Sequence, residues 1–161
     1  MPSLNDPQFR LQSRQQWRPT MRRAAGLILL LICGGVAAQQ ARTFGPYEVH
    51  YSTLNTTMLT PEIAQAYGIQ RSGTRAMLNI AILNTDDDRA VPATVTASAS
   101  NLIGQRRDVE LREIRDQDAI YYLGTLRVRN EESLTFSIEL QPEGRTGPPF
   151  TFTFRQQFYT D

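Results

Sequence analysis

The sequence holds one cysteine, one histidine and, from Gln39 onward, no lysine. Each scarcity excludes something. Cys33 lies in an apolar stretch near the N-terminus, so beyond Gln39 the chain offers no disulfide, no thiol nucleophile and no thiolate metal site. A domain without disulfides must be held by its core, and roughly 120 residues suffice to bury about two-thirds of the unfolded surface. From Gln39 onward twelve arginines stand against fifteen acids, a net charge of −3. That balance carries no electrostatic footprint for nucleic acid and no polybasic stripe for anionic lipid. No apolar run reaches the roughly 20 residues of a spanning helix.

The apolar run that is present sits in MRRAAGLILLLICGGVAAQQ, which begins at residue 21. Arg22 and Arg23 form a positive n-region, Gly26 to Val36 a short apolar h-region, and Val36-Ala37-Ala38 a small-residue cleavage site. The segment at 21–38 therefore reads as a signal peptide cleaved after Ala38, which implies release into the periplasm with no membrane anchor left behind. A lipoprotein anchor does not fit, because Cys33 follows the bulky Ile32. Residues 1–20 are rich in Gln, Arg, Asn, Ser and Pro and lack apolar periodicity. They are expected to be disordered and to stem from a start site placed too early, with translation beginning at Met21.

After Ala38 the apolar residues alternate with a period of two, the mark of half-buried strands. Tyr47, Val49 and Tyr51 share one face of YEVHY, with Glu48 and His50 on the other. RAMLNIAIL is apolar on both faces, Leu78, Ile80 and Ile82 against Met77, Ala81 and Leu83, as expected of a central strand covered twice. Further runs point Val95, Ala97 and Ala99, then Val109 and Leu111, then Ile120, Tyr122, Leu126 and Val128 inward. Two more present Leu134, Phe136, Ile138 and Leu140, and Phe150, Phe152, Phe154 and Phe158. Turn signals separate the runs at 84–92, at Gly104, in NEES and in PEGRTGPP. One helix is expected at 60–67, with Thr60 as N-cap, Pro61 at N1 and Gly68 at C′, pinned to the sheet by Ile63, Ala66 and Tyr67.

The chemistry-bearing residues form no compact set. A Ser-His-Asp triad would have to use His50, and no G-x-S-x-G elbow accompanies it. His50, Met58 and Met77 are the soft donors open to a transition metal, at spacings that match no ligand motif. Asp86 to Asp88 suggest calcium, yet Arg89-Ala90-Val91-Pro92 follow instead of the bidentate acid a calcium loop needs, so a solvated turn is expected. Glu110, Glu113, Asp116 and Asp118 are interleaved with Arg106, Arg107, Arg112 and Arg115, which favours surface pairing over a glycosidase dyad. Tyr121 and Leu123 lie opposite Ile120 and Tyr122 and form an exposed apolar strip unless the helix or a loop covers them, as is expected.

FGPYEVHYSTLNTTMLTPEIAQAYGIQRSGTRAMLNIAIL resembles a family of small exported bacterial proteins known as domain of unknown function 4426. So do ASNLIGQ, EIRDQDAIYYLGTLRVRNEESLTFSIELQPEG and FRQQFY, and the likeness spans Thr43 to Asp161. It implies export and a β-sandwich and brings no activity or catalytic residue. The signature positions on polar or turn-rich stretches are His50, Asn55, Tyr67, Arg71, Asn101, Gln105 and Tyr122, which become the candidate binding residues.

The expected fold of 39–161 is a single immunoglobulin-like antiparallel β-sandwich of about seven strands with one short helix. The expected function is a non-enzymatic binding or accessory module of the cell envelope, with an envelope protein as partner and no cofactor. The alternative is a small-molecule or metal-ion carrier using the region around His50. A hydrolase is the third reading.

Overall fold

Two antiparallel sheets face one another in the computed structural model, which describes residues 40–160. The expected extension at 1–20, the signal segment at 21–38 and its cleavage point at Ala38 lie outside the described residues. The elements are β1 (Gln40–Phe44), β2 (Tyr47–Asn55), a 3-10 turn (Thr56–Met58), α1 (Pro61–Ala66), β3 (Arg75–Asn84), β4 (Ala93–Asn101), β5 (Arg106–Val109), β6 (Leu111–Asp116), β7 (Ala119–Arg127), β8 (Glu132–Pro142) and β9 (Phe150–Phe158). The first sheet has the order β1-β2-β3-β7-β6 and the second β5-β4-β8-β9. With β2 to β9 taken in turn as strands A, B, C, C′, D, E, F and G, these orders are ABED and C′CFG. That is consistent with an immunoglobulin-like connectivity, with β1 added at one edge.

Nine strands form where about seven were expected, for two reasons. β1 is short, polar and largely exposed, and pairs with β2 through the tight turn at Gly45-Pro46. The run DVELREI is two strands, β5 in the second sheet and β6 in the first, joined by Glu110 alone. Val109 and Leu111 both turn inward across this junction, so the alternation passes through it without a break in phase.

The inner faces enclose one core. Leu78, Ile80 and Ile82 of β3 are fully buried, as are Leu134, Phe136 and Leu140 of β8. Aromatic rings bridge the sheets, with Tyr51 of β2 lying 4.9 Å from Phe152 and 4.6 Å from Phe154, while within the second sheet Phe136 stacks on Phe154 at 4.9 Å. Such pairs add to the area term when offset or edged. A second apolar cluster covers the outer face of the first sheet, where Leu54, Met77, Tyr121 and Leu123 meet Leu59, Ala64 and Ile69 from the α1 region. Tyr121 and Leu123 are only 5% and 2% exposed, so the strip they would form is closed.

α1 is short, and its ends carry its local stability. The Thr60 side chain accepts from the Ile63 N–H, Pro61 occupies N1, and Gly68 adopts φ +61 beyond the C-cap Tyr67. The Ile69 N–H reaches the Ala64 carbonyl at 2.7 Å and that of Gly68 reaches Gln65 at 3.1 Å, a Schellman closure. Ile63 and Tyr67 pack on the sheet as expected. The third contact is Ala64, whereas Ala66, about 110° from the centre of that face at 100° per residue, stays exposed.

Gly124 admits the switch between sheets. A Cβ there would stand 2.7 Å from Val109 Cγ1, 2.8 Å from the Glu110 carbonyl oxygen and 2.9 Å from Leu111 Cδ2. Two of these atoms belong to packed side chains and one to backbone, so none yields freely. Gly124→Ala is expected to destabilise the protein by about 1–3 kcal/mol and to lower its thermal midpoint by roughly 5 °C or more, read by calorimetry.

Candidate interaction surface

Four large apolar side chains are strongly exposed among the described residues: Met58 at 54%, Leu102 at 73%, Ile103 at 79% and Tyr159 at 62%. The strand registers place all four at one end of the sandwich. β2, β4, β7 and β9 finish there and β3, β5 and β8 begin there, as the pairs Asn55↔Ala76, Arg75↔Arg127, Ser100↔Arg106, Asn101↔Leu134 and Glu132↔Phe158 require. Leu102 and Ile103 form the tip of the β4–β5 hairpin, Met58 ends the 3-10 turn after β2, and Tyr159 follows β9.

Four of the seven candidate binding residues hold these loops in place. Asn101 clamps the hairpin: its Oδ1 accepts from the Gln105 N–H at 2.9 Å and its Nδ2 donates to Gln105 Oε1 at 2.9 Å. The backbone closes the same loop, with Gln105 O accepting from the Asn101 N–H at 3.1 Å and Gly104 at φ +81. Asn55 Nδ2 donates to the Tyr159 carbonyl and so joins the first sheet to the end of the second. Arg71 Nη2 donates to the Thr57 carbonyl at 2.9 Å, beside Met58. Arg107 extends the brace, donating to the Arg127 carbonyl at 2.7 Å and pairing with Glu132 at 2.8 Å.

The other three lie elsewhere. Tyr122 is buried in the core at 4% exposure, and its hydroxyl accepts from the Ala93 N–H at 2.7 Å and donates to Glu113 Oε2 at 3.3 Å. It pins the start of β4 to β7 and is no surface contact. Tyr67 sits against β6, its carbonyl accepting from Arg112 Nη2 at 2.7 Å and its hydroxyl donating to Asp116 at 3.5 Å. His50 lies mid-strand on the outer face of the first sheet, half-buried, with Nε2 3.6 Å from Glu48 Oε2.

The metal and catalytic alternatives find little convergence. Met77 is opposite Leu54 and buried in the outer cluster, four residues along β2 from His50 or about 13 Å. Met58 lies beyond the end of that strand. Among the described residues no group of three or more His, Cys, Asp or Glu stands close enough to hold a metal ion. Asp86–Asp88 form a turn: Asn84 Oδ1 accepts from the Asp86 N–H at 2.8 Å, and Arg89 pairs with Asp87 at 3.4 Å. The acids among the arginines pair in part, Arg115 with Glu113 at 2.6 Å and Arg106 with Asp108 at 3.6 Å. An open groove of about 890 Å³ crosses the outer face of the second sheet, lined by Thr96, Ser98, Ser137, Glu139, Thr151 and Thr153. The lining is mixed: Asp108, Arg42 and Arg106 join these hydroxyls and Glu139, apolar side chains such as Val95 and Phe152 also contribute, and no histidine stands there to act as a base.

Leu102, Ile103 and Tyr159 carry no catalytic or metal-binding chemistry that would single them out in the sequence. The available signal was the pair Leu-Ile between Asn101 and Gly104, where turn chemistry calls for polar side chains.

Desolvation pushes the Tyr67, Tyr121 and Tyr122 hydroxyls up, helped by Asp116 at the first two and by Glu113 at the third. The chain contains no lysine, so no side-chain ammonium titrates alongside these three between about pH 9 and 12. The folded state holds these protons more tightly than the unfolded chain does. Their contribution is therefore complete below the unfolded value near 10 and is lost as pH rises through the higher folded values. Urea midpoints measured from pH 8 to 11.5 are expected to fall above about pH 10. Tyr122→Phe is expected to reduce that slope while costing about 1–2 kcal/mol at neutral pH. In a separate test, Asn101→Ala is expected to speed hydrogen exchange at Gly104 and Gln105 about tenfold while shifting the global midpoint by only a few degrees.

Comparison with known proteins gives a family and a fold. A model of the family described as domain of unknown function (DUF4426) matches residues 41–161. A crystal structure of a DUF4426 family protein from Pseudomonas aeruginosa PAO1 is similar at 32% identity and TM-score 0.67, covering 76% of this chain and 96% of that one. FetP from uropathogenic Escherichia coli strain F11, solved as a copper-bound variant, is similar at 13% identity and TM-score 0.57, covering 76% of this chain and 96% of that one. A second FetP structure, of protein expressed recombinantly in the periplasm, gives 12% identity and TM-score 0.56. No curated protein matches the sequence.

Proposed function

The chain belongs to the DUF4426 family of domains of unknown function; from that premise we propose that it is an exported, non-enzymatic binding or accessory module of the cell envelope. It makes its contact through the loop end that carries Met58, Leu102, Ile103 and Tyr159. The observation behind this reading is that exposed bulky side chains gather on loops locked by Asn55, Arg71, Asn101 and Gln105. Burying a side chain such as Leu102 or Ile103 is worth roughly 1.5–3 kcal/mol, and the clamp removes most of the ordering cost that a floppy loop would incur on binding. Export rests on the n-region, h-region and small-residue site at 21–38.

A second reading has one specific support, the copper-bound state of FetP. Under it the chain carries a metal ion with His50 and Glu48, whose side chains approach to 3.6 Å, as the first two donors. Two donors fall short of a closed site, and for that reason the binding module is the preferred reading.

The two separate by experiment. A photoreactive amino acid at 102 or 103 in the protein expressed in its own cells is expected to form adducts that the same probe at 151, in the hydroxyl-lined groove, does not. Adducts at 151 alone would displace the interface to that groove. Stoichiometric copper or zinc in protein from the periplasm, lost on His50→Ala, would establish the carrier in its place.

A further inference from the structure

We infer that the surface met by the loop end is a lipid bilayer bearing anionic headgroups, with Leu102 and Ile103 entering the headgroup–acyl boundary. The inference rests on the binding-module reading and deepens it. Shape is the first argument. The most exposed of the apolar side chains stand at the apex of a hairpin and not in a concavity, at 73% and 79% exposure. A projecting aliphatic pair suits a soft, planar apolar medium, whereas a folded partner would have to supply a matching pocket. Elsewhere on the same end the side chains fit the same medium: Met58 is flexible and apolar, and Tyr159 is an amphipathic ring of the kind enriched at membrane–water interfaces.

Charge is the second argument. Among the described residues the loop end gathers Arg71, Arg75, Arg106, Arg107, Arg127 and Arg129 against Glu62, Asp108, Glu131 and Glu132. Two of those acids are already matched, Asp108 by Arg106 and Glu132 by Arg107. Arg127 and Arg129 are exposed, with no carboxylate within ion-pair distance among the described residues, while Arg71 has Glu62 near enough to feel its charge. The opposite end is acidic: Asp86, Asp87, Asp88, Asp116, Asp118 and Glu143 stand against Arg89 and Arg145. The register puts that contrast along the strand axis, so the molecule is a dipole that turns its arginines and its apolar apex toward a negative surface together. The −3 net charge of the region after Ala38 conceals this. No described helix is long and apolar enough to cross a membrane, and the contact is peripheral.

Protein purified from the periplasm, with its N-terminus sequenced first, is mixed with vesicles of phosphatidylcholine alone or with phosphatidylglycerol added, and binding is read by co-sedimentation. Binding is expected to require phosphatidylglycerol and to weaken roughly tenfold when salt is raised from about 0.05 to 0.5 M. Leu102→Asp with Ile103→Asp is expected to cut binding roughly thirtyfold or more, with an unchanged thermal midpoint showing an intact fold. Arg127→Gln with Arg129→Gln is expected to cut it roughly tenfold by removing two charges near the lipid. Vesicle binding that persists in the Leu102/Ile103 variant, or that is equal on phosphatidylcholine alone, overturns the inference. Absent vesicle binding with a protein crosslinked at 102 or 103 overturns the lipid partner and leaves the binding module standing. Neither vesicle binding nor adducts at these positions overturns both.

Discussion

The missing side chain at Gly124 sets the arrangement of the sheets. The chain leaves the second sheet at Val109 and joins the first at Leu111, with one residue between them. That path lies so close to β7 that only a hydrogen fits beneath it. Because the switch takes place there, β6 pairs with β7 from Leu111↔Gly124 to Asp116↔Ala119 and extends the first sheet to five strands. The same switch leaves β5 with four residues, which makes the β4–β5 hairpin a short, stiff arm and not a long edge. A short charged edge strand is also poorly suited to pairing with another chain.

The outer face of the first sheet creates a demand that the rest of the fold meets. Five strands present an outer face with Leu54, Met77, Tyr121 and Leu123 on it, too much apolar surface to leave in water. α1 has six residues and could not hold itself together in isolation. It persists because both ends are capped and because that face needs a cover. The second sheet makes no such demand, since its outer face carries Thr96, Ser137, Thr151 and Thr153.

The alternation of apolar residues makes the six longest strands legible, along with both faces of β3 and the capped helix. Period two survives wherever one side of a strand is buried. Two features escaped for physical reasons. β1 buries almost nothing, so it writes no pattern in the sequence. The sheet switch at Glu110 preserves the inward phase of its neighbours, so a change of sheet reads as a continuous strand. The candidate site was legible only at second hand. Asn55, Arg71, Asn101 and Gln105 stand out as signature positions of the resemblance on polar or turn-rich stretches. Their side chains are instead engaged in holding those turns. Tyr122, which the alternation already points inward, is an interior pin.

That exchange of roles changes which residues face solvent at the loop end. A hydrogen-bonding side chain that closes a loop has used its donors and acceptors and has little left for a ligand. The residues it positions need no polar chemistry at all. Leu102 and Ile103 stand where solvation should favour Ser or Asn, and nothing in the core explains them, since the neighbouring strand ends are filled by Leu134 and Phe158. An apolar pair in water, on a loop braced by two side-chain bonds and a glycine at positive φ, is costly in the isolated protein. Such an arrangement gains free energy only when something apolar covers it. The arginines around it and the acids at the far end add a direction of approach, which an apolar tip alone could not specify. Shape, exposure and charge therefore converge on one end of the molecule, from residues that no catalytic or metal-binding motif would single out.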